Sequence, residues 1–520
     1  MPDWVALTML ILNSLAAGWL FLYGMNAYWL TAHRHRRPQA PLVTPSTWPA
    51  VTIQLPIYNE LYVAQRLVEA ILQLDYPRDQ LYIQVLDDST DETCDILGEQ
   101  VTQARQSGFQ IQYLHRTDRQ GFKAGALRAA QGSLQTEYVA IFDADFLPAP
   151  DWLKQSMGHF TAPEIAVVQT RWGHLNQDYS LLTRLQALGI DGHFTVEQQA
   201  RAREGYWLNF NGTAGIWRVR AVLAAGGWQA DTLAEDMDLS YRVQLAGWRL
   251  AYAQNIVAPA ELPVAISAYK LQQHRWAKGS IQCARKLLPQ VLRQPGPWTR
   301  KLQAFLHLTG YCVHPLMVLI LLLSLPLLTV PWVPKHPLSM VWGTFMVPAT
   351  LGPPLLYAMA RRDLDPKGWR REGGLVALLA VLGTGISWAN SWAVGAALLN
   401  RDTPFRRTPK FNVRHPGDRW QDKRYRLGLD WLLLGEILLC LYSAQAIQIA
   451  LQTGAYGVLP FLLLYLLGYG YVAGLGLWQQ LSPRPPSEGW VTHPQPQSDS
   501  RQNSQGSQTP EGSGYPRSPR

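Results

Sequence analysis

Short apolar runs alternate with longer amphipathic stretches between residues 51 and 170. The runs are typical of strands and occur at 51–55, 81–86, 109–114, 138–142 and 165–170. The stretches between them, for example 61–74 and 91–106, have the pattern of helices. This alternation predicts a parallel α/β sheet with right-handed crossovers. Because the run 138–142 lacks any polar alternation, we expect it to be a central strand that is buried on both faces.

The first apolar stretch, residues 4–30, contains no charged residue and is long enough to cross a bilayer. Asp3 precedes it and a basic cluster at 33–37 follows it, which is not the arrangement of a cleaved signal peptide. We therefore expect residues 1–32 to form an uncleaved transmembrane anchor. The positive-inside rule places its basic end in the cytoplasm.

Five further apolar stretches occur after residue 300, at 303–329, 338–360, 374–399, 427–451 and 456–480. Each is about long enough to cross a bilayer, which predicts a transmembrane bundle at 301–480. The basic segments 361–371 and 401–426 should both be cytoplasmic loops, yet one apolar stretch separates them. We therefore interpret 374–399 as re-entrant or partly interfacial, which gives five crossings, with six as the alternative. An integral membrane protein is expected, with the plasma membrane as its location.

Glu436 lies within one of these apolar stretches. An ionisable residue at such a position usually faces the interior of the helix bundle or a polar path. An equally good alternative is a structural role, in which Glu436 is the partner of a basic residue or of His314.

The chain has 520 residues, which is too long for one ordinary domain. Lys and Arg exceed Asp and Glu by 46 to 37, and the excess lies in short loops between apolar stretches. This charge pattern is typical of a membrane protein in contact with a lipid bilayer, so we expect no nucleic-acid partner. The four cysteines match no metal-binding or disulfide spacing. Residues 481–520 are rich in Pro, Ser, Gln and Gly, which predicts a disordered tail.

Polar side chains follow three of the predicted strands, at the edge where open α/β sheets bind ligands. Glu60 ends the segment after the first strand, Asp87 and Asp88 follow the second, and Asp143 and Asp145 follow the fourth. Asp87 and Asp88 could accept hydrogen bonds from a base or a ribose, although Asp-Asp-Ser is also an ordinary turn. Asp143 and Asp145 have the spacing and the oxygen ligands for Mg²⁺ or Mn²⁺ that also holds phosphate oxygens.

Charged residues farther along the chain add to this candidate chemistry. Lys123, near a predicted helix start, could neutralise a diphosphate, although on its own it is typical of a solvated surface lysine. Glu235 and Asp236 open a predicted helix for which Thr232 is a possible cap. Asp236 is the candidate general base, because a carboxylate among other carboxylates can take a proton from a hydroxyl group.

Residues 261–300 form a basic, partly amphipathic stretch, which predicts interfacial helices along the membrane surface. The stretch contains Gln272-Gln-His-Arg275-Trp276. Arg275 could bind a phosphate through two hydrogen bonds, and Trp276 could stack on a sugar ring. The alternatives are an ion pair or lipid-headgroup contact for Arg275 and a place in an interfacial aromatic belt for Trp276.

Seven motifs occur in an order that is similar to that of a known family. They are Gln54-Leu-Pro-Ile-Tyr-Asn-Glu60, Gln84-Val-Leu-Asp-Asp-Ser-Thr90, Phe122-Lys-Ala-Gly-Ala-Leu127, Val139-Ala-Ile-Phe-Asp-Ala-Asp-Phe146, His193-Phe-Thr-Val-Glu-Gln198, Phe210-Asn-Gly-Thr-Ala-Gly215 and Gln272-Gln-His-Arg-Trp276. With them the chain resembles the family-2 inverting glycosyltransferases of the cellulose-synthase superfamily. The resemblance is closer still to the cellulose-synthase-like A and C branch, which includes glucomannan 4-beta-mannosyltransferase-like enzymes. It covers about residues 50–285.

The resemblance implies an α/β GT-A (Rossmann-like) glycosyltransferase domain at 48–260, inserted in the α-helical transmembrane bundle on its cytoplasmic side. It implies that Asp88 contacts the nucleotide base and Lys123 the diphosphate. Asp143 and Asp145 would handle the diphosphate and the metal, with Asp145 the better ligand. Asp236 would be the catalytic base, next to Glu235. The residues implied on the acceptor and diphosphate side are Asn211, Gly212, Gln272, Arg275 and Trp276.

A further implication concerns the predicted cytoplasmic loop 401–426. Residues 405–410 stand where relatives carry a gating loop with a Phe-x-Val-Thr-x-Lys pattern. This chain has Arg407 in place of Val and Pro409 before Lys410, so it departs from that pattern.

These expectations describe a hexosyltransferase, similar to β-1,4-mannan or glucan synthases, that extends a β-linked polysaccharide and helps to export it. GDP-mannose is the first expected donor and UDP-glucose the second, and the 1→4 linkage is implied by the resemblance alone. One alternative is a non-processive enzyme that glycosylates a membrane lipid. It would need the same donor site but no channel. The other is a catalytically silent membrane scaffold, against which the complete set of acidic residues argues.

Overall fold

The structure is a computed structural model, which describes residues 1–37, 42–43, 45–401, 406–428 and 430–481. All of these residues belong to one compact unit, Met1–Ser482. The second unit, Pro483–Arg520, lies outside the described residues. The predicted tail therefore lies outside them too, except for Leu481, which is the last residue of a helix rather than part of a tail.

A seven-stranded sheet forms the centre of the region between residues 51 and 260. Its strands are β1 (Val51–Ile57), β2 (Leu81–Asp87), β3 (Gln110–His115), β4 (Tyr138–Ile141), β5 (Ile165–His174), β6 (Gly215–Arg218) and β7 (Arg249–Ala260). Their order across the sheet is β3-β2-β1-β4-β6-β5-β7. The apolar runs predict β1 to β5 to within a few residues, but they do not predict β6 or β7.

The five predicted strands run in the same direction, as expected for a parallel α/β sheet, but β6 runs against them and makes the sheet mixed. β6 pairs antiparallel with β4 on one side and with β5 on the other, whereas the remaining pairs are parallel. The reason lies in the turn before β6, where Gly212 and Ala214 have positive φ angles of 84° and 53°. Because this turn lies beside the carboxyl end of β4, the chain enters β6 from that edge and runs antiparallel to β4 and β5.

Helices flank the sheet and form most of the remaining described chain. They are α1 (Asp3–His33), α2 (Ala64–Leu72), α3 (Thr93–Gln106), α4 (Phe122–Ala130), α5 (Trp152–Met157), α6 (Leu181–Gly192), α7 (Gln199–Glu204), α8 (Val219–Ala224), α9 (Glu235–Leu245), α10 (Ile266–Arg293), α11 (Trp298–Leu308), α12 (Val313–Leu328), α13 (Pro337–Leu364), α14 (Gly373–Gly385), α15 (Ser387–Leu398), α16 (Leu432–Thr453) and α17 (Leu459–Leu481). A six-residue π-helix, His193–Gln198, joins α6 to α7. The predicted helices 61–74 and 91–106 correspond to α2 and α3.

The central strand β4 has the burial that its unbroken apolar run predicts. All four residues of Tyr138–Ile141 are buried, and alternate residues join two different core clusters, one on each face. The next residue, Phe142, packs edge-on against Trp152 with 4.6 Å between the ring centroids. Burying a side chain of this size contributes about 1.5–3 kcal/mol. This packing holds the end of the strand where Asp143 begins.

Four helices of the described chain are long and apolar enough to cross a membrane: Asp3–His33, Gly310–Leu328, Leu432–Thr453 and Tyr456–Leu481. A fifth span results if Trp369–Gly385 and Ser387–Leu398, bent by 46° at the break between them, count as one. This bend falls inside 374–399, the stretch interpreted as re-entrant or partly interfacial. The predicted span 338–360 is helical within α13, which contains three internal prolines and is not among the four. Length and composition therefore indicate a membrane protein.

Glu436, on α16, is fully buried and has a basic partner. The Nζ atom of Lys270 on α10 lies 2.9 Å from its Oε1 and 2.6 Å from Oδ2 of Asp430. His314 instead forms a hydrogen bond with Asn390, with 3.0 Å between Nε2 and Nδ2. Of the alternatives for Glu436, the structure therefore shows the pairing with a basic residue, and the pairing with His314 is wrong.

The long helix α10 connects the sheet to the apolar helices. At its start, the backbone N–H of Ile266 donates to Oε1 of Gln479 on α17 at 2.9 Å. In its middle, a Cβ on Gly279 would lie 2.8 Å from the backbone nitrogen of Ala234, just before α9. Arg275 and Trp276 therefore lie on one helix, which contacts α17 at its start and the segment before α9 in its middle.

Candidate active site

One cavity at the carboxyl edge of the sheet contains all eleven candidate site residues. They are Asp88, Lys123, Asp143, Asp145, Asn211, Gly212, Glu235, Asp236, Gln272, Arg275 and Trp276. The cavity has a volume of about 240 Å³. The ends of β1, β2 and β4 form one part of its wall, and α9 and α10 form another. This is the edge where open α/β sheets bind their ligands.

Asp88 is held by a bidentate ion pair that the sequence does not predict. Arg116, just after β3, donates from Nε to Oδ1 at 2.7 Å and from Nη2 to Oδ2 at 2.5 Å. The neighbouring Asp87 does not line the cavity, and its Oδ2 accepts a hydrogen bond from the Tyr113 hydroxyl at 2.6 Å. Of the two residues, only Asp88 therefore lines the cavity, whereas Asp87 is the last residue of β2 and is fully buried.

Asp143 and Lys123 form an ion pair inside the cavity. The Lys123 Nζ lies 2.5 Å from Asp143 Oδ1 and donates to the backbone oxygen of Gly212 at 2.8 Å. The backbone N–H of Asp143 donates to Thr213 Oγ1 at 2.9 Å. Burial alone would lower the pKa of Lys123, but the carboxylates of Asp143 and Glu235 outweigh it and raise the pKa. The site therefore keeps a full positive charge next to Asp143.

Asp145 binds a different lysine, from a distant part of the chain. The Nζ of Lys410 lies 2.6 Å from Asp145 Oδ2 and also donates to the backbone oxygen of Glu261. The Glu261 carboxylate in turn accepts from Arg66 Nη2 at 3.1 Å. Lys410 is 265 residues from Asp145 along the chain. No local sequence pattern therefore predicts this ion pair.

The segment 406–410 lies against the cavity, and Phe405, the first residue of the predicted gating loop, lies outside the described residues. Arg407, Thr408 and Lys410 line the cavity. Arg407 forms an ion pair with Glu60, with 3.0 Å between Nη1 and Oε2. Burial raises the pKa of Glu60 to about 8 against the opposing charge of Arg407. Glu60 and Arg407 are thus additional ionisable residues of the site. The signals for them in the sequence were the position of Glu60 after β1 and the position of Arg407 in the predicted gating loop.

Asp236 is the second residue of α9 and lies on the inner wall of the cavity. Its Oδ1 accepts a hydrogen bond from the backbone N–H of Met237 at 2.8 Å. Burial, with the neighbouring Glu235 carboxylate, raises the pKa of Asp236 to about 7. A carboxylate with such a pKa is suited to take a proton from a hydroxyl group near neutral pH.

The start of α9 differs from the expectation. The residue before the helix is Ala234 and no side chain caps it, so the interpretation of Thr232 as the cap is wrong. The residues just before the helix instead contact α10, because the backbone N–H of Leu233 donates to Oε1 of Gln282 at 2.9 Å. The first-turn carboxylates, including Asp236, supply the favourable charge at this helix end instead.

Asn211 and Gly212 lie on the turn that leads into β6. The Oδ1 of Asn211 accepts from Asn209 Nδ2 at 3.0 Å and lies 3.1 Å from Nε2 of His193 on the π-helix. A Cβ on Gly212 would lie 3.0 Å from Asp236 Oδ2. The turn therefore brings bare backbone against the candidate base, which together with its positive φ accounts for glycine at this position.

Gln272, Arg275 and Trp276 lie on one face of α10, as residues three and four apart do on a helix. The Trp276 ring lies 6.4 Å from the ring of Trp172 on β5, measured between centroids. Trp172 also lines the cavity, and the sequence did not single it out. The two indoles give this part of the cavity an aromatic wall, which suits the C–H face of a sugar ring.

This mixed sheet, with its charged carboxyl edge and its attached apolar helices, is a GT-A-like architecture. Residues 49–279 match the model of the family described as glycosyltransferase like family 2. The chain therefore carries a family-2 glycosyltransferase domain. The fold class and the family that the motifs implied are both confirmed.

Two curated plant proteins show how similar the sequence is to characterised relatives. The chain is 38% identical to glucomannan 4-beta-mannosyltransferase 2 of Arabidopsis thaliana over 324 residues, which cover 59% of this chain and 58% of the relative. It is 42% identical to glucomannan 4-beta-mannosyltransferase 1 of Oryza sativa subsp. japonica over 258 residues, covering 49% and 50%. The chain thus spans between half and three fifths of these relatives. Their similarity supports the cellulose-synthase-like branch.

Solved structures resemble the chain more distantly. The mannosyltransferase PcManGT from Pyrobaculum calidifontis, in complex with GDP-Man and Mn²⁺, has a TM-score of 0.48 and 22% sequence identity, covering 76% of this chain and 100% of that one. TarS of S. aureus has a TM-score of 0.36 and 14% identity, covering 62% and 55%.

Proposed function

We propose that this protein is a membrane-embedded, inverting hexosyltransferase that extends a β-linked polysaccharide from a nucleotide-sugar donor. The observation that carries the proposal is that Asp88, Asp143, Asp145 and Asp236 meet the Gln272–Trp276 motif around one cavity. The similarity to glucomannan 4-beta-mannosyltransferases supports a β-1,4-linked mannan or glucomannan as the product. On the same grounds GDP-mannose is the first candidate donor, and UDP-glucose is the second.

The donor side is assigned to the ends of β2 and β4 and to α4. Asp88, oriented by Arg116, accepts hydrogen bonds from the nucleotide base, and Lys123 neutralises the diphosphate. The carboxylates of Asp143 and Asp145 fit Mg²⁺ or Mn²⁺, because both line the same cavity and offer the oxygen ligands that these ions take. When bound, such a cation would stabilise the charge on the departing nucleoside diphosphate.

Asp236 acts as the general base in this proposal. It takes the proton from the acceptor hydroxyl, whose oxygen attacks the anomeric carbon while the bond to the diphosphate breaks. Because the attack comes from the face opposite the leaving group, the configuration is inverted. The pKa of about 7 allows the side chain to accept this proton near neutral pH.

The acceptor side is assigned to α10 and to the turn before β6. Trp276 stacks on the acceptor sugar, and Gln272 and Arg275 hold the diphosphate and the acceptor in register. Asn211 and Gly212 line the same side, next to Asp236. We further propose that the site lies at the cytoplasmic face of the plasma membrane, through which the polymer is exported. The helices that are long and apolar enough to cross a membrane support this proposal.

Product analysis tests the proposal directly. The purified protein in detergent is offered radiolabelled GDP-mannose and UDP-glucose in parallel, with Mg²⁺ or Mn²⁺, and Asp236→Asn is the matched control. We expect a labelled polymer from one donor, and from GDP-mannose first, that a matching β-glycanase degrades. The variant should give at most about one hundredth of the wild-type product.

Other outcomes would overturn the proposal at different levels. Label found only in a chloroform-extractable, single-sugar lipid would identify a lipid glycosyltransferase and remove the export role. Absence of transfer from either donor, with nucleotide binding intact, would contradict the assignment of these two sugars. Equal products from the wild type and Asp236→Asn would remove Asp236 as the base.

A further inference from the structure

Three metal-ligating side chains meet outside the candidate active site. Asp87, Cys94 and His115 each offer one ligand atom, and these atoms lie within 4.8 Å of one another. Asp87 and His115 are direct partners in the β2–β3 pair, so their side chains project to the same face of the sheet. Cys94 is the second residue of α3, whose first turn lies over that face. The His115 Nδ1 is already 3.4 Å from Asp87 Oδ2.

We propose that Asp87, Cys94 and His115 form a binding site for a borderline divalent cation of the Zn²⁺ type. A thiolate, an imidazole and a carboxylate are the ligands that Zn²⁺ takes in proteins, and water completes a site with three protein ligands. Mg²⁺ prefers a set of oxygen ligands, so the two-aspartate site at Asp143 and Asp145 and this one select different ions.

The distances suit a tetrahedral ion after a small adjustment. Ligand atoms around tetrahedral Zn²⁺ lie roughly 3.3–3.6 Å apart, as follows from the usual bond lengths. The separation of His115 and Asp87 therefore fits as it stands. The sulfur of Cys94 donates a hydrogen bond to the backbone oxygen of Ser89 at 3.0 Å. It lies within 4.8 Å of the other two ligand atoms, so it has to approach them by at most roughly 1.5 Å.

The surroundings of Asp87 hold its carboxylate in place. The Tyr113 hydroxyl donates to Oδ2 at 2.6 Å, and the backbone N–H of Ser89 donates to Oδ1 at 2.9 Å. Such outer hydrogen bonds orient ligating carboxylates in metal sites. Asp87 itself is fully buried, whereas the His115 side chain is 35% exposed, so an ion can enter from solvent on the histidine side.

The cluster is joined to the candidate active site by one peptide bond. Asp87 contributes to the cluster, and Asp88 lines the cavity and binds Arg116. The backbone N–H of Arg116 also donates to the backbone oxygen of Asp87 at 2.9 Å. An ion that moves Asp87 toward α3 should therefore also move Asp88 and Arg116, which are assigned to the binding of the nucleotide base.

Co²⁺ is the probe that tests this site, with the full-length protein in detergent after removal of metal by a chelator. Co²⁺ bound to a thiolate gives a charge-transfer band in the near ultraviolet, and tetrahedral Co²⁺ gives intense visible bands. We expect one equivalent of Co²⁺ to produce both, Zn²⁺ to remove them, and a large excess of Mg²⁺ to leave them unchanged.

Single substitutions separate this site from adventitious binding. Cys94→Ser should remove the charge-transfer band, and His115→Gln should weaken Co²⁺ binding by at least about tenfold. Cys440→Ser is the matched control, because Cys440 is also a partly exposed free thiol, and it should change neither. A wild-type protein without the band, a band that persists in Cys94→Ser, or an unchanged affinity in His115→Gln would overturn the proposal. Since His115 is partly exposed, its variant tests the site even if Cys94→Ser fails to fold.

Discussion

The proposed reaction depends on Asp236, a residue whose charged form is disfavoured by its surroundings. Burial and the Glu235 carboxylate raise the pKa of Asp236 to about 7 in the folded protein, well above the value of about 4 for an exposed aspartate. The folded state therefore binds this proton more tightly than the unfolded state. The stability that this provides is lost as the pH rises through about 7.

Asp236→Asn should separate catalysis from binding and from stability. We expect turnover to fall by about 10²–10⁴-fold or more, because the amide cannot accept the proton. Nucleotide-sugar affinity should remain nearly unchanged. The melting temperature at pH 8 should be equal to or above that of the wild type, because a buried carboxylate has been replaced by a neutral group. Parallel loss of donor binding, measured by calorimetry, would argue against the role of base.

Glu235→Gln tests the source of the raised pKa. The wild-type kcat/KM should fall with decreasing pH below about 7, because the base becomes protonated. Removal of the neighbouring negative charge should lower the pKa of Asp236, so the acidic limb of the pH profile should move to lower pH. A profile of kcat/KM against pH for both proteins measures this shift. An unmoved limb would mean that burial alone sets the pKa.

Gly212→Ala tests the close approach of backbone to the candidate base. The new Cβ would lie 3.0 Å from Asp236 Oδ2 and the residue would keep φ near 84°, so we expect kcat to fall by up to about 100-fold. Gly247→Ala is the matched control, because Gly247 has φ of 90° and nothing within 4 Å of its Cβ position. Both variants should lose about 1–2 kcal/mol of stability. Only Gly212→Ala should lose activity beyond that effect.

Among the elements, the segment 406–428 contributes positive charge to the site. Its Lys410 Nζ occupies a position 2.6 Å from Asp145 Oδ2, where a bound cation would compete with it. Lys423, in the same segment, donates instead to the backbone oxygen of Phe411. The segment therefore offers one lysine that touches the proposed metal ligand and one that does not.

Lys410→Ala should tighten Mn²⁺ binding in the absence of donor. Because this ion pair is buried, removing the competing ammonium leaves the Asp145 carboxylate without that cationic partner, so the apparent Kd for Mn²⁺ should fall by at least about fivefold. The readout is the loss of free Mn²⁺ signal in electron paramagnetic resonance. Lys423→Ala should leave this Kd unchanged. Weaker Mn²⁺ binding in Lys410→Ala would mean that Lys410 supports the site instead of competing for it.

The extent to which the sequence predicts the structure also differs from element to element. The apolar run of β4 predicts its burial, because a strand that is covered on both faces needs apolar residues at every position. β6 is only four residues long and its direction depends on a turn, so no periodicity reveals it. The aspartates could be predicted since they directly follow strands. The ion pairs of Arg116, Arg407 and Lys410 could not, because their partners are brought to them by tertiary contacts alone.

At the scale of the whole molecule, one buried ion pair links the helix that carries Arg275 and Trp276 to an apolar span. Lys270 on α10 contacts both Glu436 on α16 and Asp430 just before it. Glu436 is fully buried, whereas the Asp430 side chain is 23% exposed and can be hydrated. Removing each of these three charged side chains should therefore have a different cost in stability.

Lys270→Met should be the most damaging single change at this junction. It leaves Glu436 buried without its partner, which costs about 3–5 kcal/mol. Glu436→Leu should cost less, because Lys270 keeps Asp430. The double variant Lys270→Met/Glu436→Leu should recover most of the loss. Thermal unfolding of the four proteins in one detergent measures the cycle, and equal losses in both single variants would contradict this account.

The antiparallel strand β6 also determines the order in which the protein can be completed on the ribosome. β4 ends at Ile141, but its second neighbour is Gly215–Arg218, and the sheet is finished only by Arg249–Ala260. Until those residues emerge, the apolar edge of β4 has unpaired backbone groups, which makes the nascent chain prone to aggregation. The first four strands can thus form early, while the complete cavity is assembled late in synthesis. Truncation of this protein before residue 260 would yield an open sheet and not a smaller enzyme.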